Sequence, residues 1–363
     1  MISLTILFII ISGNTLYDLN SAKLGFAQQS KNYNNKSMSN DNGNINVTSN
    51  IKTIENGKLE NNNIKIIATG DWGCNEQSES TINEINNKKP DIVISLGDMS
   101  YREKGDCFYE LISPIKNKTK IVFGNHDIQF GENKFLKGEY LKNFNLSKSF
   151  YSFDLENIHF VLLESTISPS KLSDQYNFVK NDLKNNAKNN STNWTIVALH
   201  KPLYTVPGKH EPDIAYANTY HKLFDYYNVD LILAGHNHWY ERTLPLKYNK
   251  INQTEPIINI LGISEEMYNK INGSLIDIEI NSTFFNPKNP IFITAGTAGK
   301  ENYIQEKMLP FTTSIYDNGY GFLEMNVSKY HIEGKFYANK IDQNQTVLED
   351  FEIRDNFLII KSS

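Results

Sequence analysis

Three apolar runs early in the chain end in the same way. "IKIIATGD", "DIVISLGD" and "KIVFGN" each close on a glycine followed by a polar residue: Asp71, Asp98 and Asn125. These residues stand at even spacing, 27 positions from each to the next. That is close to the roughly 30 residues of a strand–helix–strand unit. β-branched runs stopped by glycine read as strands that end at a turn. Equal spacing makes them neighbours in one parallel sheet and lines the three polar groups along one edge. In open α/β sheets, sites form at that edge, beyond the carboxyl ends of the strands.

Two later runs repeat the design. "WTIVALH" ends at His200, and "VDLILAGHNH" ends at His236 and His238. A lone aspartate after a strand is ordinarily a cap, and a lone histidine pair is ordinarily a surface feature. Oxygen and nitrogen donors at five matching strand ends instead converge on one crevice as a set of metal ligands. Between the runs, "STINEINNKK", "DCFYELISPIKN", "DQYNFVKNDLKNN" and "YHKLFDYYN" read as helices, and "FYSFDLENIHFVLLES" as a hairpin. "PIFITAGTAG", "GYGFLEMNV" and "KYHIEGKFYAN" read as further strands. Alternation in the first half and strands in the second indicate a layered α/β fold, with one mixed sheet or two sheets packed together. No linker interrupts residues 63–363, which read as one domain. His159, His221 and His331 fall inside predicted elements and read as structural.

The formal charge of −5 on 363 residues shows no basic stripe, which excludes nucleic acid as a main partner. "ISLTILFIIIS" near the N-terminus is too short to span a bilayer and reads as a signal peptide over residues 1–27, cleaved after Ala27. The alternative is an uncleaved anchor. Residues 28–62 are rich in Asn and Ser without apolar periodicity and read as a disordered tether. Sequons occur at Asn46, Asn193 and Asn326. The expected location is secreted or extracytoplasmic, with no stable membrane span in the mature chain unless the first segment stays in place.

"GDWG", "GDMSY", "GNHD", "VALH" and "GHNH" resemble, in order, the five motifs of the purple acid phosphatases, a family of the calcineurin-like metallophosphoesterases. The resemblance covers roughly residues 64–340. It implies two mixed β-sheets packed as a sandwich flanked by helices. It implies a ferric ion held by Asp71, Asp98, Tyr101 and His238. A divalent iron, zinc or manganese ion is implied at Asp98, Asn125, His200 and His236, with Asp98 shared. Gly73 stands where the wider superfamily has a ligating histidine, and Tyr101 fills that role. Phenolate and carboxylates suit a trivalent ion, while imidazoles and an amide suit a divalent one.

The implied activity is acid hydrolysis of small phosphate monoesters by a hydroxide held at the metals. His126 and His210 are the candidate proton donors. Asn125, His126, Lys209 and His210 are the candidate phosphate contacts. Two rival readings remain: a phosphodiesterase with two divalent ions, and an exported binding protein without catalysis. The only two cysteines, Cys74 and Cys107, lie in loops at the same edge of neighbouring strands. They could be soft ligands or unrelated thiols. In an oxidising compartment they pair, and a Cys74–Cys107 disulfide would hold the loops of Asp71, Asp98 and Tyr101.

Overall fold

The structure is a computed structural model that describes residues 63–128, 136–249, 282–305, 308–342 and 346–362. The expected signal segment, the tether and Asn46 lie outside the described residues. All described residues belong to one compact unit, Glu60–Ser363.

Fourteen strands, numbered β1 to β14 in chain order among the described residues, form two sheets of seven. The first sheet runs β3 (Thr119–Ile121), β2 (Ile92–Ser95), β1 (Ile64–Thr69), β12 (Gly321–Val327), β13 (His331–Ile341), β14 (Val347–Ile360), β9 (Thr283–Phe285). The second runs β11 (Thr312–Tyr316), β8 (Tyr240–Pro245), β10 (Ile291–Ala295), β7 (Leu231–Ala234), β6 (Trp194–Ala198), β5 (Ile158–Leu162), β4 (Tyr151–Leu155). β1, β2 and β3 pair in parallel, as the even spacing requires. So do β5, β6, β7 and β10. Antiparallel pairs occur in both sheets, so each is mixed, and β9 pairs in parallel with β14 at the edge of the first.

The continuous apolar runs follow from burial on both faces. Alternate side chains point to opposite sides of a strand. Ile66, Ala68 and Ile94 of the first sheet meet Phe160, Leu162, Ile196 and Leu233 of the second in the central core. The residues between them face outward. Ile67 and Val93 pack on Ile82 and Ile85 of helix α1 (Glu76–Lys88) and on Phe108 of α2 (Asp106–Leu111). Tyr140 of α3 (Leu136–Asn143) joins that layer. Val161, Val197 and Ile232 pack on Val179 and Leu183 of α4 (Asp174–Asn186), and on Tyr220 and Phe224. The result is the expected sandwich of two sheets between helical layers. Each fully buried aliphatic side chain stabilises it by roughly 1.5–3 kcal/mol.

Local chemistry shifts some boundaries from the sequence reading. Helix α1 begins upstream of "STINEINNKK" because Asn75 caps it, accepting a hydrogen bond from Ser78 N at 3.0 Å. "DCFYELISPIKN" is not one helix. α2 ends at Leu111, because Pro114 disfavours helical geometry at Ser113, and a short 3-10 turn follows at Lys116–Lys118. Among the described residues no helix is long and apolar enough to cross a membrane.

His159 bridges two elements. It pairs across the hairpin with Asp154. Its Nδ1 lies 2.5 Å from Asp154 Oδ1, and its Nε2 lies 2.8 Å from Asp182 Oδ2 on α4. Burial works against its charge, but Asp182 and Asp154 prevail and raise its pKa. A raised histidine contributes stability in full below its unfolded pKa of about 6.5 and loses it as pH rises through the folded value. The melting-temperature gap between wild type and His159→Gln is therefore expected to shrink as pH rises above about 6.5. A gap that stays constant as the pH is raised would refute the charged pairing.

Candidate metal centre

The first sheet supplies Asp71 after β1, Asp98 and Tyr101 after β2, and Asn125 after β3. The second supplies His200 after β6, and His236 and His238 after β7. The structure gathers six of these seven residues, all but Asn125, into two clusters. In one, Tyr101 Oη lies 2.8 Å from Asp71 Oδ1 and 2.9 Å from His238 Nε2, and His238 Nε2 lies 3.4 Å from Asp71 Oδ1. In the other, ligand atoms of Asp98, His200 and His236 all lie within 4.8 Å of one another. Asp98 Oδ2 is 3.3 Å from His200 Nε2, and His236 Nδ1 is 3.2 Å from the same nitrogen.

Main-chain contacts orient the donors. His200 Nδ1 donates to Leu96 O at 2.8 Å, and His238 Nδ1 donates to Glu301 O at 2.7 Å. Each bond turns Nε2 inward, the usual way a ligand imidazole is aimed. His236 N donates to Asp71 Oδ2 at 2.8 Å, a bond between the two sheets. Asp127 accepts from the main-chain N–H groups of Asp98, Met99 and Gly124 at 2.7–2.9 Å, fixing the turns of Asp98 and Asn125. Gly124 lies against the Asp98 carboxylate, where any side chain would collide with it. Asp71, Asp98, Tyr101 and His236 all adopt left-handed backbone, with φ of 65°, 50°, 51° and 71°. Such conformations cost on the order of 1 kcal/mol each and gather at functional sites.

The donors fit cations. Each cluster is held together around a proton, from Tyr101 O–H to Asp71 and from His200 N–H to Asp98. Burial, Asp71 and Asp98 push the Tyr101 phenol far above its ordinary range. Burial opposes the charge on His200, but Asp98 overcomes it and lifts the group to about 9. Burial, His200 and His210 push His236 down to about 2, leaving a neutral imidazole. A metal ion in either place would replace the proton and meet the same lone pairs. Asn125 Oδ1 is buried without a hydrogen-bond partner, and its chain neighbours Gly124 and His126 both contact Asp98. A buried acceptor of this kind calls for an ion or similar partner.

A rim surrounds the clusters. His126 N donates to Asp98 Oδ1 at 2.8 Å, and its Nε2 lies 3.9 Å from Asp98 Oδ2. The His210 ring stacks on His236 with centroids 4.0 Å apart. Lys209 Nζ lies 4.2 Å from the centre of the Tyr303 ring, which stacks on His238 at 3.9 Å. Lys300 Nζ lies 5.0 Å from the centre of the Tyr101 ring. Cys74 and Cys107 form a disulfide with Cα atoms 6.0 Å apart, joining the loop after Asp71 to α2. His159, His221 and His331 lie in their own elements, outside both clusters.

The sequence reading did not single out Tyr303, Lys300 or Asp127. A signal was present for the first two. β10 ends in "ITAG", the same apolar-to-glycine close as the other strands at this edge. Both residues lie in the turn that follows.

Residues 64–240 match the calcineurin-like phosphoesterase family. Purple acid phosphatase 22 of Arabidopsis thaliana is 29% identical over 216 residues, covering 55% of this chain and 50% of that protein. The purple acid phosphatase PPD1 from yellow lupin (Lupinus luteus) seeds superposes with a TM-score of 0.62 at 19% identity, covering 83% of this chain and 54% of that one. GAP50, the anchor in the inner membrane complex of Plasmodium, superposes with a TM-score of 0.53 at 15% identity, covering 81% and 90%. At these identities the two structures bear on fold alone. The chain spans about half the length of the curated relatives it matches. Residues 64–240 thus resemble a calcineurin-like phosphoesterase domain, and several relatives similar over about half of this chain are purple acid phosphatases.

Proposed function

We propose that residues 63–363 form the catalytic domain of an acid phosphatase that hydrolyses small phosphate monoesters. Asp71, Asp98, Tyr101 and His238 would hold a ferric ion. Asp98, Asn125, His200 and His236 would hold a divalent iron, zinc or manganese ion. The observation that carries this reading is the gathering of a phenol, a carboxylate and an imidazole within 2.8–3.4 Å of one another, beside a second, histidine-rich cluster. Two such ions, when bound, supply Lewis acidity that activates water at low pH and neutralises phosphate oxygens.

The remaining work falls to side chains of the chain itself. Asn125, His126, Lys209 and His210 stand around the clusters as phosphate contacts. His126 and His210, both half-buried at the rim, would give a proton to the departing ester oxygen. The electropositive rim of Lys209 and Lys300 favours an anionic substrate. The Cys74–Cys107 disulfide supports a location outside the cytoplasm, since such bonds persist in oxidising compartments.

The test is one purified sample loaded with iron and zinc. A violet or pink absorption band is expected, together with hydrolysis of 4-nitrophenyl phosphate in acid, and Tyr101→Phe should bleach the band. A colourless protein that prefers diesters would replace this reading with the phosphodiesterase.

A further inference from the structure

The segment "GHNHWYER" has a second side. After β7, Asn237 N donates to Gly235 O and Trp239 N donates to Asn237 O, each at 2.8 Å. Each bond closes a tight three-residue turn. His236 and His238 face the ligand clusters. Asn237, Trp239 and Glu241 face the other way, and all three meet one loop, residues 201–213. Glu241 accepts from Thr205 Oγ1 at 2.7 Å and from Val206 N at 3.1 Å. The Trp239 ring presses on Gly208, where an added Cβ would lie 2.5 Å from it. Asn237 Nδ2 donates to Thr205 Oγ1 at 3.0 Å and to His210 O at 3.2 Å.

That loop carries Lys209 and His210 and has no regular secondary structure before the helical turn at Ile214. Its local geometry therefore rests on outside contacts. Asn237 is fully buried and holds the His210 main chain directly. The two flanking histidines of Asn237 are ligand candidates, and the His210 ring stacks on one of them. One residue thus links the position of the rim imidazole to the position of the clusters.

We propose that Asn237 is the positioning residue for His210. It holds the imidazole where it can protonate the leaving oxygen, an inference that rests on the phosphatase reading. In that step the bond from water oxygen to phosphorus forms as the bond from phosphorus to the leaving oxygen breaks. The leaving oxygen takes the proton of His210, and the proton lost by the water passes to solvent. Esters with poor leaving groups need that proton, and esters with good ones do not.

The experiment compares the metal-loaded wild type with Asn237→Leu, which keeps the volume and removes both donors. Thr205→Val weakens the same tie from the loop side and leaves the histidine segment untouched. Both variants are expected to retain their metal content. Turnover of glycerol phosphate should fall at least about 10-fold, and that of 4-nitrophenyl phosphate less than about threefold, as loss of acid catalysis requires. Adding Asn237→Leu to His210→Ala should bring no more than about a twofold further loss, because residues acting through one contact are not additive. Carbethoxylation of His210 by diethyl pyrocarbonate, followed by peptide mass spectrometry, should accelerate in both single variants as the ring leaves its stack. Equal losses on the two esters, multiplying losses in the double variant, or unchanged labelling of His210 would each overturn the proposal. An inert wild type with faster His210 labelling in Asn237→Leu would sink the phosphatase reading alone and leave the positioning of His210 standing.

Discussion

Asp98→Asn is expected to strip both ions from the protein and to lower turnover at least about 10³-fold, roughly 4 kcal/mol of transition-state stabilisation. Asp98 belongs to the histidine-rich cluster and is the residue proposed to serve both ions. Its Oδ2 lies 3.3 Å from His200 Nε2, and its Oδ1 accepts from His126 N at 2.8 Å. Burial alone would raise its pKa, but His200 and His126 overcome that and hold the carboxyl well below its usual range. Asparagine keeps the shape and removes the charge that two cations would share. His200→Ala should by contrast weaken the divalent site and leave the ferric colour. Metal stoichiometry by elemental mass spectrometry, read beside the visible spectrum, separates the two variants. Retention of both ions by Asp98→Asn would remove Asp98 from the shared position.

His126→Ala is expected to lower turnover of alkyl phosphates by about 10²-fold, the lower end of what general acid catalysis provides, with metal content unchanged. The imidazole packs at 4.3 Å on the Tyr101 ring and reaches within 3.9 Å of Asp98 Oδ2. It therefore lies beside both clusters without completing either. Its loss should be small for aryl phosphates whose leaving group departs without a proton. Turnover measured across a series of leaving groups reads this as a slope. An equal loss across the series would show that His126 only binds phosphate.

The strand ends were legible because burial on both faces writes an uninterrupted apolar run and the turn that follows demands glycine. Asp71, Asp98, Asn125, His200, His236 and His238 could be placed at strand ends from that pattern alone, but not their division between two sheets. β8 was not legible, because it carries Glu241 and Arg242 inside a strand. Most of their polar partners come from distant parts of the chain. Arg242 makes a paired contact with Asp355 at 2.7 and 2.9 Å, and Glu241 meets Thr205 and Thr312. β14 alternates charged and apolar residues along an exposed face, and its partner strand is what makes it a strand. Asn237 reads as a spacer between two histidines until the loop it holds, some thirty positions upstream, is folded back upon it. Local periodicity records which side chains are buried. It does not record which distant polar group each buried polar one will meet.

The donors come from both sheets: Asp71, Asp98, Tyr101 and Asn125 from one, His200, His236 and His238 from the other. An ion bound across that seam is a clasp, and its binding free energy is added to the docking of the two halves of the sandwich. By mass action, each tenfold rise of free ion above its dissociation constant would deepen the folded state by about 1.4 kcal/mol. Supply of iron and of the divalent metal would then govern how long each molecule survives, as well as how fast it works. In a metal-poor setting the seam would open more often, proteases would reach the chain sooner, and the amount of protein would fall with no change in its synthesis.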